Sequence, residues 1–134
     1  MLTRPAPMRA ADDSVFWAYL RDGELRLQRC DGCGRLRYPP APCCPGCLAP
    51  DATWTPMSGR GAVLSWVTMH RQYFPTLPVP YVVVAVQLEE GPIMFGNLDQ
   101  DAPLRAGAPV RLVLERSVTE AGEPLTLPQW RVAS

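Results

Sequence analysis

The chain has no lysine, a single histidine and no apolar run of membrane-spanning length among its 134 residues. Every one of its 13 basic residues is therefore arginine, a bias that GC-rich coding accounts for and that suits contacts with phosphate or carboxylate. They are matched by 13 acidic residues. A net charge of zero argues against a general polyanion binder. No stretch approaches the roughly 20 apolar residues of a transmembrane helix, and Leu2 to Met8 is too short and proline-rich for a secretory signal. Catalytic signatures are missing too: there is no Gly-x-Ser-x-Gly elbow, no His-Glu-x-x-His and no glycine-rich phosphate loop. His70 stands at the end of a predicted strand without an identifiable partner for general-base work, which favours a rim or surface position. Glu89 and Glu90, adjacent in a hairpin turn, are expected to point apart into solvent. Independent catalysis is not expected.

What the chain does have is five cysteines, four of them in two pairs, Cys30-Asp31-Gly32-Cys33 and Cys44-Pro45-Gly46-Cys47. Each CxxC loop brings two sulfurs within reach of one ion, and the chain between them folds the pairs together. Gly32 and Gly46 stand where a knuckle turn calls for backbone freedom, and Pro45 stiffens the second turn. The spacing predicts a structural Zn²⁺ ribbon. Two disulfides would suit a secreted mini-protein, and a redox CxxC would need a thioredoxin-like βαβ context; neither setting is evident. Four thiolates leave no open coordination position, so the ion is expected to hold structure rather than activate water. Cys44 is taken as a ligand because it keeps the CxxC spacing with Cys47, which leaves Cys43 as a spare thiol. Reduced cysteines and no export signal point to the cytoplasm.

The length fits one domain, or a small metal module joined to a barrel of roughly 75 residues. Residues 1–23 read as a loose arm, Met1 to Ala11, and a short helix capped by Asp12, Asp13 and Ser14 and stopped by Gly23. Its aromatic face, Phe16, Trp17 and Tyr19, is a candidate partner-docking surface, with packing against the ribbon or barrel as the plainer alternative. Residues 24–57 form the ribbon: Leu25 and Leu27 alternate with Arg26 and Gln28, and Leu36 to Tyr38 return. Pro50 to Ser58 reads as a turn-rich connector, with Trp54 as an apolar anchor. Residues 58–134 hold five strands, Gly61–His70, Tyr81–Leu88, Ile93–Leu98, Val110–Arg116 and Leu125–Val132. The first, with Val63, Trp66 and Val67, suits a long bent strand shared by two sheets. The expected fold is mainly β: a short N-terminal helix, a zinc ribbon and a five-stranded OB-type barrel, with a small β-sandwich second.

The order and spacing of these landmarks resemble the DUF35 family, a rubredoxin-like zinc ribbon followed by an acyl-CoA-associated OB-fold domain. The landmarks are Phe16-Trp17, Gly23-Glu24-Leu25, Cys30-x-x-Cys33-Gly34, Tyr38-Pro39-Pro40, Cys44-Pro45-x-Cys47, Ser58-Gly59-Arg60-Gly61, Pro80-Tyr81, Leu88-Glu89-Glu90-Gly91 and Gly107-x-Pro109-Val110. The chain departs at Ala41, where the pattern carries arginine, and at Cys43, where it carries an apolar residue.

The resemblance implies a non-catalytic accessory subunit of a thiolase-fold enzyme, in a thiolase, acyltransferase or steroid side-chain aldolase complex. The ribbon and helix would dock on the enzyme, and the barrel would help position an acyl-CoA thioester. The segment Arg71 to Pro80 joins two strands yet is apolar and proline-stiffened. Tyr73 and Phe74 are candidates to cover an acyl or pantetheine tail, with Arg60, His70 and Arg71 nearby for phosphate or a partner carboxylate. Two other classes compete: a single-stranded nucleic-acid binder, which would need a basic groove with aromatic platforms, and a purely architectural subunit that never touches CoA. No clear basic stripe is visible along the strands, so no nucleic acid and no membrane is expected as a partner.

Overall fold

The computed structural model describes residues 2–7 and 13–133. Within them run β1 (Leu2–Thr3), α1 (Ser14–Arg21), β2 (Arg26–Cys30), β3 (Leu36–Arg37), β4 (Ala52–Pro56), β5 (Arg60–Met69), β6 (Tyr81–Leu88), β7 (Ile93–Asn97), β8 (Pro109–Val118) and β9 (Pro124–Val132).

The helix ends as its sequence predicts. The Gly23 amide donates to Leu20 O and the Glu24 amide to Tyr19 O, with Gly23 at φ +93°, which is a Schellman stop. Its start differs. Asp13 occupies the N-cap position with helical backbone angles and makes no side-chain capping bond, and Asp12 lies outside the described residues.

β2 is the centre of a three-stranded antiparallel sheet, β3-β2-β4. β4 corrects the connector expected between Pro50 and Ser58. Ala52 to Pro56 pairs with β2 along its whole length, Arg26 opposite Pro56 through Cys30 opposite Ala52. The flanking prolines disguised the strand, yet Pro56 falls at its end, on an edge where a missing N–H costs no ladder bond. Trp54 is half-buried on this strand and faces the Tyr19 ring at 6.1 Å.

The barrel closes in the order β5-β6-β7-β9-β8-β5. β5 pairs with β6 through a bulge between Val63 and Ser65, and its first residues pair with β8, so the bent strand serves both sides of the barrel. β8 and β9 pair throughout. The seam between β7 and β9 is made by a parallel bridge, Leu98 to Trp130, by Asp99 N–H donating to Trp130 O at 2.7 Å, and by Asn97 N–H donating to Gln129 Oε1 at 2.6 Å. This is a five-stranded Greek-key barrel of OB type.

The arm is not loose where it is described. Leu2 and Thr3 add a short parallel strand to Ser117 and Val118 of β8, and Arg4 is buried. Its guanidinium bonds Glu115 in β8 and Asn97 in β7.

One apolar core serves both modules. Phe16 and Leu20 of α1 and Leu25 and Leu27 of the ribbon cluster with Val63, Val84, Val86, Leu88, Met94, Val110 and Trp130 of the barrel. A leucine as enclosed as Leu27 contributes about 1.5–3 kcal/mol of transfer free energy, so ribbon and barrel stabilise one another.

Candidate metal centre and binding face

The two knuckles are built alike. In the first, the Gly34 amide donates to Cys30 O and the Cys30 amide to Arg35 O; in the second, the Leu48 amide donates to Cys44 O and the Cys44 amide to Ala49 O. Each knuckle therefore needs a left-handed residue at the same place, and Gly34 (φ +78°) and Leu48 (φ +65°) supply it. This corrects the role expected of Gly32 and Gly46, which are small for a different reason. A Cβ on Gly32 would stand 3.3 Å from Ala49 Cβ and 3.6 Å from the sulfurs of Cys30 and Cys47, and one on Gly46 would press on the Arg35 guanidinium at 3.0–3.3 Å.

The sulfurs of Cys30, Cys33, Cys44 and Cys47 lie within 4.8 Å of one another, with Cys30 to Cys47 at 3.5 Å and Cys33 to Cys44 at 3.6 Å. Zn–S bonds of about 2.3 Å in a tetrahedron require S···S edges of about 3.8 Å, close to what is found, whereas a disulfide is about 2.05 Å. All five cysteines are free thiols. The four are positioned to bind zinc; Cys43 stands outside the cluster, half-buried.

The backbone prepares the sulfurs. Amides of Cys47 and Gly46 hold the Cys44 thiol down at about 6, with the Gly46 bond at 3.3 Å. The Cys33 amide lowers Cys30 as well. The amide of Ala49 pulls Cys47 down, but sharing with Cys30 and burial outweigh it and push that thiol up to about 11. Four clustered sulfurs resist ionising together until a cation enters.

The other expected site residues separate into two groups. Phe16 is buried in the core, its ring 5.3 Å from Trp17 and 5.9 Å from Tyr38, so the docking role expected of it is corrected: the chain's own packing occupies that ring. Trp17 is half-buried beside it, and Tyr19 lies between Trp54 and Arg26. Burial, then Asp13, raises the Tyr38 hydroxyl above its ordinary pKa. Arg60 pairs with Glu89 at 2.7 Å, and Ser58 N–H donates to Glu90 at 2.7 Å, so Glu89 and Glu90 both turn toward the Ser58-Gly59-Arg60 turn rather than away from it. Ala41 keeps a ribbon contact without an arginine: its backbone exchanges bonds with the Gln28 amide and accepts from Arg37.

His70, Arg71, Tyr73 and Phe74 are all exposed, on or beside the loop between β5 and β6. Arg71 stacks over the Tyr73 ring at 5.3 Å, and Gln72 ties the loop to its own carbonyls at Pro75 and Leu77. The aromatics do not tuck into the barrel. The strands that flank this loop carry a face that sequence reasoning missed. Val67 pairs with Val83, Ala85 with Phe95 and Gln87 with Ile93, and Leu64, Val67, Ile93 and Phe95 are exposed. From Gly61 to Leu88 only His70 and Arg71 can carry charge, and from Pro92 to Leu98 none can.

A tetrathiolate ribbon sharing its core with an OB barrel defines the class, and comparison with known proteins gives the family. Residues 17–51 match the ChsH2 rubredoxin-like zinc ribbon domain, and residues 54–115 the ChsH2 C-terminal OB-fold domain. The chain is 30% identical over 112 residues to a DUF35 domain-containing scaffold protein of Pyrococcus furiosus, covering 77% of this chain and 78% of that one. It is 37% identical over 132 residues to the "Probable enoyl-CoA hydratase alpha subunit" of Thermomonospora curvata, covering 97% of this chain and 40% of that subunit. The chain thus spans two fifths of that relative's length. A solved structure titled Ltp2-ChsH2(DUF35) aldolase superposes with a TM-score of 0.85 at 35% identity, over 96% of this chain and 100% of that one. The chain belongs to the DUF35 family, of the ChsH2 type.

Proposed function

We propose that this chain is a non-catalytic, zinc-bound accessory subunit that docks on a thiolase-fold enzyme and helps it position an acyl-CoA thioester in the cytoplasm. The relatives' names point the same way: one is a hydratase subunit, another a scaffold protein, and the matching structure carries two protein names. The observation that carries the reading is the exposed apolar face of β5, β6 and β7, strands that carry no charged residue after Arg60. Charge depletion at the centre with apolar and aromatic side chains exposed is what a protein interface requires, and a free monomer rarely sustains it. Zinc, when bound, supplies a closed structural cross-link. The chain's own residues do the rest: the ribbon braces α1 and the barrel, and the Tyr73–Phe74 loop offers apolar cover beside Arg71.

The face also weighs against single-stranded nucleic acid. An OB barrel that tracks a phosphate backbone needs a basic groove; here Arg60 is paired with Glu89 and Arg4 with Glu115, which leaves His70 and Arg71 beside the apolar strands.

Co-expression with an acyl-CoA thiolase-fold enzyme, followed by size exclusion, tests the reading. The parent chain is expected to co-elute, and Val67→Asp with Phe95→Asp to lose the complex while keeping zinc and Tm. Unchanged co-elution of that double variant would reject this face as the dock. Calorimetry with an acyl-CoA on the complex separates ligand positioning from a purely architectural role.

A further inference from the structure

Arg35 touches both knuckles. Its carbonyl accepts the Cys30 amide at 2.8 Å and so closes the first turn. Its guanidinium lies across the second: a Cβ built on Gly46 would meet Cζ at 3.0 Å, Nη1 at 3.1 Å and Nε at 3.3 Å. Three nearly equal distances mean that the planar group is laid face-on over Gly46. Gly46 in turn donates its amide to the Cys44 sulfur and precedes Cys47. Among the described residues no carboxylate lies within salt-bridge distance of Arg35, unlike Arg4, Arg26, Arg60 and Arg131.

An exposed arginine without an acidic partner ordinarily spreads over many rotamers, because fixing it costs side-chain entropy. Here the flat seat on Gly46 sets it over the knuckle whose amide bonds the Cys44 sulfur. Four thiolates around a divalent cation leave two net negative charges. The rim of that cluster is open, since Cys33 and Cys47 are exposed residues.

We infer that Arg35 is the charge-compensating positioning residue of the zinc site, and that Gly46 is glycine so that the guanidinium can lie over the second knuckle. In this role Arg35 lowers the free energy of the bound tetrathiolate and slows attack on it by competing ligands and electrophiles. It does not ligate the ion.

The test is the rate of zinc transfer to a chelating dye in large excess, on the purified zinc-loaded chain. At low ionic strength Arg35→Gln is expected to release zinc about fivefold faster, the scale of one unit charge a few ångström away across water. Gly46→Ala, whose Cβ shifts the guanidinium by a few tenths of an ångström, is expected to fall between the parent and Arg35→Gln. The double variant should be no faster than Arg35→Gln alone, because Gly46→Ala acts only through the same guanidinium. Arg35→Lys restores part of the protection. In about 1 M salt, where screening acts within about 3 Å, the difference should collapse. A merely structural Arg35 would give a salt-independent acceleration together with a lower Tm of the zinc-loaded protein. That result, or an Arg35→Gln rate within about twofold of the parent at low salt, overturns the inference.

Discussion

The guanidinium of Arg4 closes on the Glu115 carboxylate with two bonds, Nε at 2.8 Å and Nη2 at 2.6 Å, across 111 positions of chain. Arg4 also donates to Asn97, and Ser117 donates to Glu115 at 2.6 Å, so one ion pair ties β1, β7 and β8 together. Burial alone would raise the Glu115 carboxyl; the bonds from Arg4 and Ser117 win and hold it below the usual carboxylate range. A carboxylate depressed in the folded state stabilises the fold above its unfolded pKa of about 4.3, and that contribution is lost as pH falls through the lower folded value. Arg4→Gln is expected to cost about 2 kcal/mol near neutrality, with the gap to the parent shrinking as urea titrations are taken down below pH 4. A constant gap across that range would assign the loss to packing.

Zinc removal should do more than melt the ribbon. Leu25 and Leu27 lie in the same core as Val63, Val84 and Trp130. Cys44→Ser, at a position with 0% exposure, is expected to abolish zinc binding and lower Tm by about 10 °C or more, in one transition seen alike by ribbon and barrel probes. A surviving barrel transition at the parent's temperature would show two independent modules.

Leu48 is strained where Gly34, its counterpart in the first knuckle, is not. A left-handed leucine costs about 1–2 kcal/mol, and this side chain is 72% exposed, so burial returns little in the free chain. Leu48→Gly should therefore leave thermal stability unchanged or raise it by up to about 1 kcal/mol. A clear loss would mean that the side chain packs in a way its exposure hides.

In the proposed complex, replacing Tyr73 and Phe74 by alanine should weaken enzyme activity far more than it lowers Tm. Both rings are exposed, at 59% and 42%, so their loss removes little packing from the isolated chain. Equal losses in the two measurements would favour a role inside the fold.

How much of this was readable beforehand depended on the range of the interaction. The thiolate cluster was legible because its chemistry is local, two sulfurs per four-residue turn. The barrel strands were legible because β-branched runs such as Tyr81 to Leu88 have one structural outcome. β4 was not: Pro50 precedes it and Pro56 ends it, and what settles it is pairing with β2. The Arg4–Glu115 pair leaves no local trace, since neither residue type at either position implies the other. The exposed apolar face was present as a scarcity of charge between Gly61 and Leu88, but barrel strands are apolar on their inner side in any case, and only the fold shows which half points outward. The seat of Arg35 on Gly46 was hidden behind a simpler reason for glycine.

The shared core has a consequence for how the molecule is cleared. Because the helix, ribbon and barrel hold one another up, a proteolytic machine meeting a copy starved of metal would not find a frayed end beside an intact remainder. It would find ribbon and barrel open to digestion together, so loading with the ion would protect the chain as a whole.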